Sequence, residues 1–310
     1  MPPPHRGGLP LPQPLAQLAA PPTFVVGLHR SGTTWIYDLL TAHPEVAGVF
    51  ESGMFATDLG FGPLFDPTHW APGETGEKQK QLFGSARLRQ LMRRDEMVDE
   101  VRAVSARWLA RPLRPEHRYL VEKTPQHGYV MPLIAELFPG AGFIQVIRDG
   151  RDVAVSVEAA ARSWGGFRYR GHADHGKLWA DGVSTIRRAA HNHELRYTEV
   201  RYEDMRSAPV ARLRELTEFV GIPADEPTLQ RMVDAASIEK LQTGPDDQFR
   251  RRGNTGDWAD RFGLRDRRRF HRGAGQTLLD LGYETTRWWW LRPGGQGPAP
   301  NRSRRKGAAV

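Results

Sequence analysis

Residues 23 to 34, Thr-Phe-Val-Val-Gly-Leu-His-Arg-Ser-Gly-Thr-Thr, constrain the fold of this chain more than any other stretch. Phe24, Val25 and Val26 read as a short buried strand, and Gly27 to Gly32 as a tight turn. Thr33 then opens a helix whose apolar Ile36, Leu39 and Leu40 recur at i, i+3, i+4. Strand, glycine turn and helix start gather unpaired backbone N–H groups and the positive end of a helix dipole at one point, which predicts a cradle for a phosphate-like anion. The two glycines have the spacing of the P-loop G-x-x-x-x-G-K-[ST], but Thr33 stands where that motif requires Lys, and Arg30 lies inside the turn. An arginine in that place can grip a pair of phosphate or sulfate oxygens bidentately.

The remaining chain alternates short apolar runs with helical spacing. Val46 to Phe50 reads as a second strand, begun after the helix-ending His43-Pro44 and delivering Glu51 at its carboxyl end. Tyr119 to Val121 reads as a third, ending on Glu122-Lys123-Thr124-Pro125, and Phe143 to Ile147 as a fourth, ending on Arg148-Asp149-Gly150-Arg151-Asp152. Glu199 to Tyr202 reads as a fifth. Helices are expected over about 82–110, 129–138, 153 onward and 177–195, over the run from Leu213 closed by Gly221, and over 274–282. Such alternation predicts an α/β domain with a central parallel sheet flanked by helices, its ligands lying outside the carboxyl ends of the strands. Two stretches rich in glycine and aromatics, 52–80 and 163–176, read as loops, the first as a lid facing substrate. His172, Asp174 and His175 fall in the second, but without further spaced ligands they do not read as a metal site.

Composition bounds the rest. The chain has 310 residues, enough for one substantial domain, and no cysteine, which excludes disulfides and thiolate chemistry and suits a reducing compartment. No apolar run approaches the ~20 residues of a membrane helix, and the proline-rich start has no signal-type apolar core, so a cytoplasmic location is expected. The formal charge of +8 invites a nucleic-acid reading, but most of the excess sits at the ends, as Arg6 in 1–22 and Arg292, Arg302, Arg304, Arg305 and Lys306 in 291–310. We therefore expect a flexible leader over 1–22, a domain over 23–290 and a disordered basic tail over 291–310, with no specific nucleic-acid partner. Trp288, Trp289 and Trp290 suit a membrane-interface or partner contact and the packing of a C-terminal segment equally well.

Arg30-Ser31-Gly32-Thr33-Thr34 resembles the 5′-phosphosulfate loop of sulfotransferases that use 3′-phosphoadenosine-5′-phosphosulfate (PAPS). Arg148 followed eight residues later by Ser156 resembles their 3′-phosphate site, and Arg251-Arg252-Gly253-Asn254-Thr255-Gly256-Asp257-Trp258 their late arginine–glycine segment, so the likeness runs from about 23 to 283. It implies sulfuryl transfer to a hydroxyl acceptor, carbohydrate or small molecule, with adenosine 3′,5′-bisphosphate (PAP) as product and no metal required. Arg30, Ser31, Gly32, Thr33, Thr34, Arg148, Ser156, Tyr202, Arg251, Arg252 and Gly253 would then hold the donor. Lys123 matches a lysine that the family aims at the transferred group. The histidine base of cytosolic members is replaced by Pro125. Glu51, following His43-Pro44, matches instead the glutamate of tyrosylprotein and heparan-type members, which makes it the expected base, with His127 and Glu122 as alternatives. A nucleotide-dependent kinase and a non-catalytic nucleotide- or polyanion-binding module are the rival readings, and a homodimer is left open.

Overall fold

The computed structural model describes residues 13–56, 60, 61, 64, 93–164, 171–237 and 255–292. Five parallel strands, β1 (Thr23–Gly27), β2 (Val46–Phe50), β3 (Tyr119–Lys123), β4 (Gly142–Ile147) and β5 (Tyr197–Arg201), form one sheet in the order β2-β3-β1-β4-β5. β1, β3 and β4 are buried along their whole length, so apolar residues stand side by side in them, as in Phe24-Val25-Val26, Leu120-Val121 and Val146-Ile147, although β3 also buries Glu122 and Lys123 and β4 buries Gln145.

Successive residues of β1 feed opposite layers. Phe24 and Val26 pack with Met97, Val101, Ile134 and Ile186 from the helices Arg94–Leu109, Met131–Leu137 and His172–Asn192. Val25 packs with Ile36, Leu39, Leu213 and Leu229 from the helices Thr33–Thr41, Pro209–Val220 and Glu226–Ala235. A third cluster joins the helices Gly150–Trp164, His172–Asn192 and Leu264–Asp280 through Val153, Trp179, Phe270 and Leu278.

The register places the functional candidates. Gly27 pairs with Val146 and Val25 with Lys123, so the turn after β1 emerges between the ends of β4 and β3. Phe50 pairs with Lys123, and Ile147 with Arg201, which brings Glu51 beside Lys123 and Tyr202 beside Arg148.

Several sequence expectations are corrected. Helix begins at His172, not 177, so His172, Asp174 and His175 occupy a first helical turn, where His172 faces Asp266 at 3.6 Å. The last long helix spans Leu264–Asp280, not 274–282. Its buried stripe of Arg267, Phe270, Ala274 and Leu278 is periodic, but an arginine at a core position masks the period. β5 ends at Arg201, and Tyr202 opens a short helix, Tyr202–Ser207. Within the expected leader, Leu15 is buried and the Ala19 amide donates to the Arg118 carbonyl at 2.8 Å. Trp289 packs edge-on to Trp258 at 5.8 Å, whereas Trp288 is 53% exposed. Most of the expected lid (65–80) and all of the expected 82–110 helix before Arg93 lie outside the described residues, as do 165–170, 238–254 and 293–310.

Candidate active site

The turn after β1 is built by backbone demands that only certain residues meet. Gly27 has φ 153°, and a Cβ there would lie 2.7 Å from the Val146 carbonyl oxygen. Gly32 has φ 94°, and its Cβ would run into Cδ2 of Tyr202. Arg30 itself is left-handed at φ 69°, which turns the chain sharply before the helix. Ser31 is buried and its hydroxyl donates back to the Leu28 carbonyl, closing the turn. No side chain caps the helix Thr33–Thr41 at Gly32, so the first-turn amides of Thr33 and Thr34 face the cradle with the dipole behind them.

A second cluster adjoins it at the end of β4. Arg148 is buried, donates from Nη1 to the Arg30 carbonyl at 3.2 Å, and lies 4.8 Å from the Tyr202 ring centre. Arg30 donates from Nε to Ser156 Oγ at 3.0 Å, so the cradle arginine reaches across to the hydroxyl that was paired with Arg148 by spacing. The next charges in the run are not a solvated network. Arg151 is fully buried, forked on Asp149, paired with Glu284, and lies 3.7 Å from the centre of the Trp258 ring and 4.7 Å from that of Trp289. Asp152 accepts the backbone amides of Gly256 at 2.8 Å and Trp258 at 3.0 Å, and burial pushes its carboxyl up to about 7. Arg251, Arg252 and Gly253 lie outside the described residues, but Gly256 and Trp258, which follow them, are thus anchored to the first turn of the helix Gly150–Trp164.

On the other side of the cradle, Lys123 Nζ sits 2.5 Å from Glu51 Oε1 and 3.6 Å over the Phe50 ring. Burial lowers the Lys123 ammonium below its ordinary range, and Glu51 opposes that shift. Glu51, 46% exposed in its side chain and left-handed at φ 44°, is open to a ligand. The alternative bases are not. His127 and Glu122 are both fully buried, with His127 Nδ1 2.9 Å from Glu122 Oε2 and His127 Nε2 accepting the Phe55 amide at 3.2 Å. Nothing in sequence spacing pointed to Phe50 as the ring beneath Lys123, or to Asp152 as an anchor. Among the described residues no group of three or more His, Cys, Asp or Glu is placed to hold a metal ion, and no helix is long and apolar enough to cross a membrane.

A glycine cradle at the carboxyl end of the central strand of a five-stranded parallel sheet makes this a P-loop-like α/β protein. Within that class the chain belongs to the sulfotransferase family, whose model matches residues 21–226. It is 26% identical over 237 residues to the protein-tyrosine sulfotransferase 1 of Danio rerio, covering 73% of this chain and 61% of that protein. It is 24% identical over 210 residues to the protein-tyrosine sulfotransferase of Drosophila melanogaster, covering 67% of this chain and 40% of that protein. The chain thus spans less than two thirds of these relatives. Its fold matches mouse sulfotransferase SULT7A1, solved in complex with PAP, at a TM-score of 0.55 and 17% identity, covering 87% of this chain and 89% of that one.

Proposed function

We propose that this protein transfers a sulfuryl group from PAPS to a hydroxyl acceptor. The observation that carries the reading is the continuity of three groups along the carboxyl ends of neighbouring strands: the cradle at 27–34 after β1, Arg148 with Ser156 and Tyr202 on its β4 side, and the Lys123–Glu51 pair on its β3 side. The relatives' sulfotransferase names and the PAP-bound fold neighbour support it.

Sulfuryl transfer is mainly a matter of positioning and charge neutralisation, as in phosphoryl transfer. In this reading Glu51 takes the proton of the acceptor hydroxyl as its oxygen bonds to sulfur. The bond from sulfur to the phosphate oxygen breaks, and PAP leaves with the electron pair. Arg30, Lys123 and the Thr33 and Thr34 amides offset the charge on the transferring and leaving oxygens. Arg148, Ser156 and Tyr202 hold the 3′-phosphate and base end of the donor. The acceptor classes to assay are tyrosine peptides, simple phenols and carbohydrates, with the relatives' names favouring tyrosine as the first choice.

Calorimetric titration with PAP tests the donor site. Wild type should bind with or without Mg²⁺ and Arg148→Ala should lose most of that affinity, while Glu51→Gln should keep it but lower transfer by about 10²- to 10⁴-fold. Binding seen only with ATP and Mg²⁺ would turn the reading towards a kinase. Tight PAP binding with no transfer to any acceptor class would turn it towards a binding module.

A further inference from the structure

Glu51 adopts a left-handed backbone conformation that is strained for a non-glycine residue, and such a conformation persists only where its surroundings over-determine it. The surroundings here are a closed polar network. Glu122 Oε1 accepts the hydroxyls of Ser52 at 2.8 Å and Thr124 at 2.6 Å. Thr124 Oγ1 in turn accepts the Gly53 amide at 3.2 Å, and the Glu51 amide donates to the Lys123 carbonyl at 2.7 Å. Because His127 Nε2 accepts the Phe55 amide, its proton must be on Nδ1, from which it donates to Glu122 Oε2. The bonds from the Ser52 hydroxyl, from the Gly53 amide through Thr124 and from the Phe55 amide through His127 therefore all run inward to one buried carboxylate, that of Glu122. His127 is walled in by Phe24 and Phe55, with ring centres at 6.3 and 5.2 Å, and it and Glu122 present nothing to a ligand.

We propose that Glu122 and His127 are positioning residues that hold Glu51 in its left-handed, Lys123-facing geometry by stapling residues 52–55 to the end of β3. This rests on the reading of Glu51 as the base. It explains why two residues with the chemistry of a base lie beside Glu51 yet out of reach of any acceptor. It also makes Glu122→Gln, which keeps the shape, a disruptive change. With the new amide's NH2 toward Nδ1, Nε2 must carry the proton and opposes the Phe55 N–H donor; with the NH2 toward Ser52 and Thr124, the two hydroxyl protons lose their buried acceptor.

The test uses the full chain as wild type, Glu122→Gln, Glu51→Gln and the double variant, with Thr124→Val as a milder break of the same staple should Glu122→Gln fail to fold. Hydrogen exchange followed by mass spectrometry should show faster exchange over 51–56 in Glu122→Gln and Thr124→Val, with the helix Met131–Leu137 unchanged. PAP affinity should stay within about twofold, while sulfuryl transfer, read as PAP formed from PAPS with water or 4-nitrophenol as acceptor, falls about 10- to 100-fold. The pH profile should keep its acid limb at lower height, and the double variant should be no slower than Glu51→Gln alone. Unchanged exchange over 51–56 overturns the proposal. Full transfer by Glu122→Gln and Thr124→Val with an inactive Glu51→Gln overturns it while sparing the base assignment. An active Glu51→Gln beside a Glu122→Gln that has lost its acid limb overturns both, and makes the buried pair the base.

Discussion

A Cβ on Gly32 would meet two obstacles at once, the ring of Tyr202 and a backbone at φ 94°. Gly32→Ala is therefore expected to lower stability by about 1–3 kcal/mol and to weaken PAP binding, measured by thermal unfolding and calorimetry. The double variant with Tyr202→Ala should recover only the steric share, because the positive φ remains. The same contact gives Tyr202 two tasks: its ring packs against the cradle glycine and also lies beside the Arg148 guanidinium. Gly32 is legible from the spacing of the motif. Its conflict with Tyr202 is not, since 170 residues and a sheet crossing separate the two, and the register of β4 with β5 decides it.

At the scale of elements, the helix Gly150–Trp164 carries two buried charges in its first turn, Arg151 and Asp152, and these tie the C-terminal segment to β4. The Asp152 carboxyl, facing Asp149 and Arg148 and accepting two amides, is pushed up to about 7 by burial, against an ordinary carboxylate value near 4. Between those values the folded chain holds a proton that the unfolded chain has lost, so stability falls as pH rises through this window and levels off above it. Unfolding of wild type and Asp152→Asn across pH 5 to 8 should show the difference moving in favour of the variant as pH rises. A constant difference would mean that Asp152 does not titrate there. A mixed charge run such as 148–152 is compatible with a binding site and with a solvated charge network alike. The fold supports neither for the whole run: Arg148 lines the candidate site, and Arg151 and Asp152 are buried structural anchors.

For the whole molecule, the sheet is covered on both faces, and the segment before β1 contributes to one cover. Leu15 packs in the layer of Phe24 and Ile134, with Leu18 beside it. A chain beginning at Thr23 should therefore unfold below one beginning at Gln13. Losing one buried leucine is worth about 1.5–3 kcal/mol, and each kcal/mol corresponds to about 2–4 °C in Tm for a domain this large. Equal Tm values would return residues 13–22 to the role of a dispensable leader. The sequence by itself determined the local physics: short runs that read as the strands of a parallel sheet, a glycine turn that opens a helix, and a family pattern carried by Arg30 to Thr34, Arg148 and Ser156. These are short-range properties, written in neighbouring residues through backbone sterics and periodicity. Only the tertiary structure decided that Glu51 faces Lys123 while His127 and Glu122 are sealed beneath them, that Arg30 reaches Ser156, and that Asp152 anchors Gly256 and Trp258. Those pairings depend on strand order and register, which residues far apart in the chain settle together when they share one core.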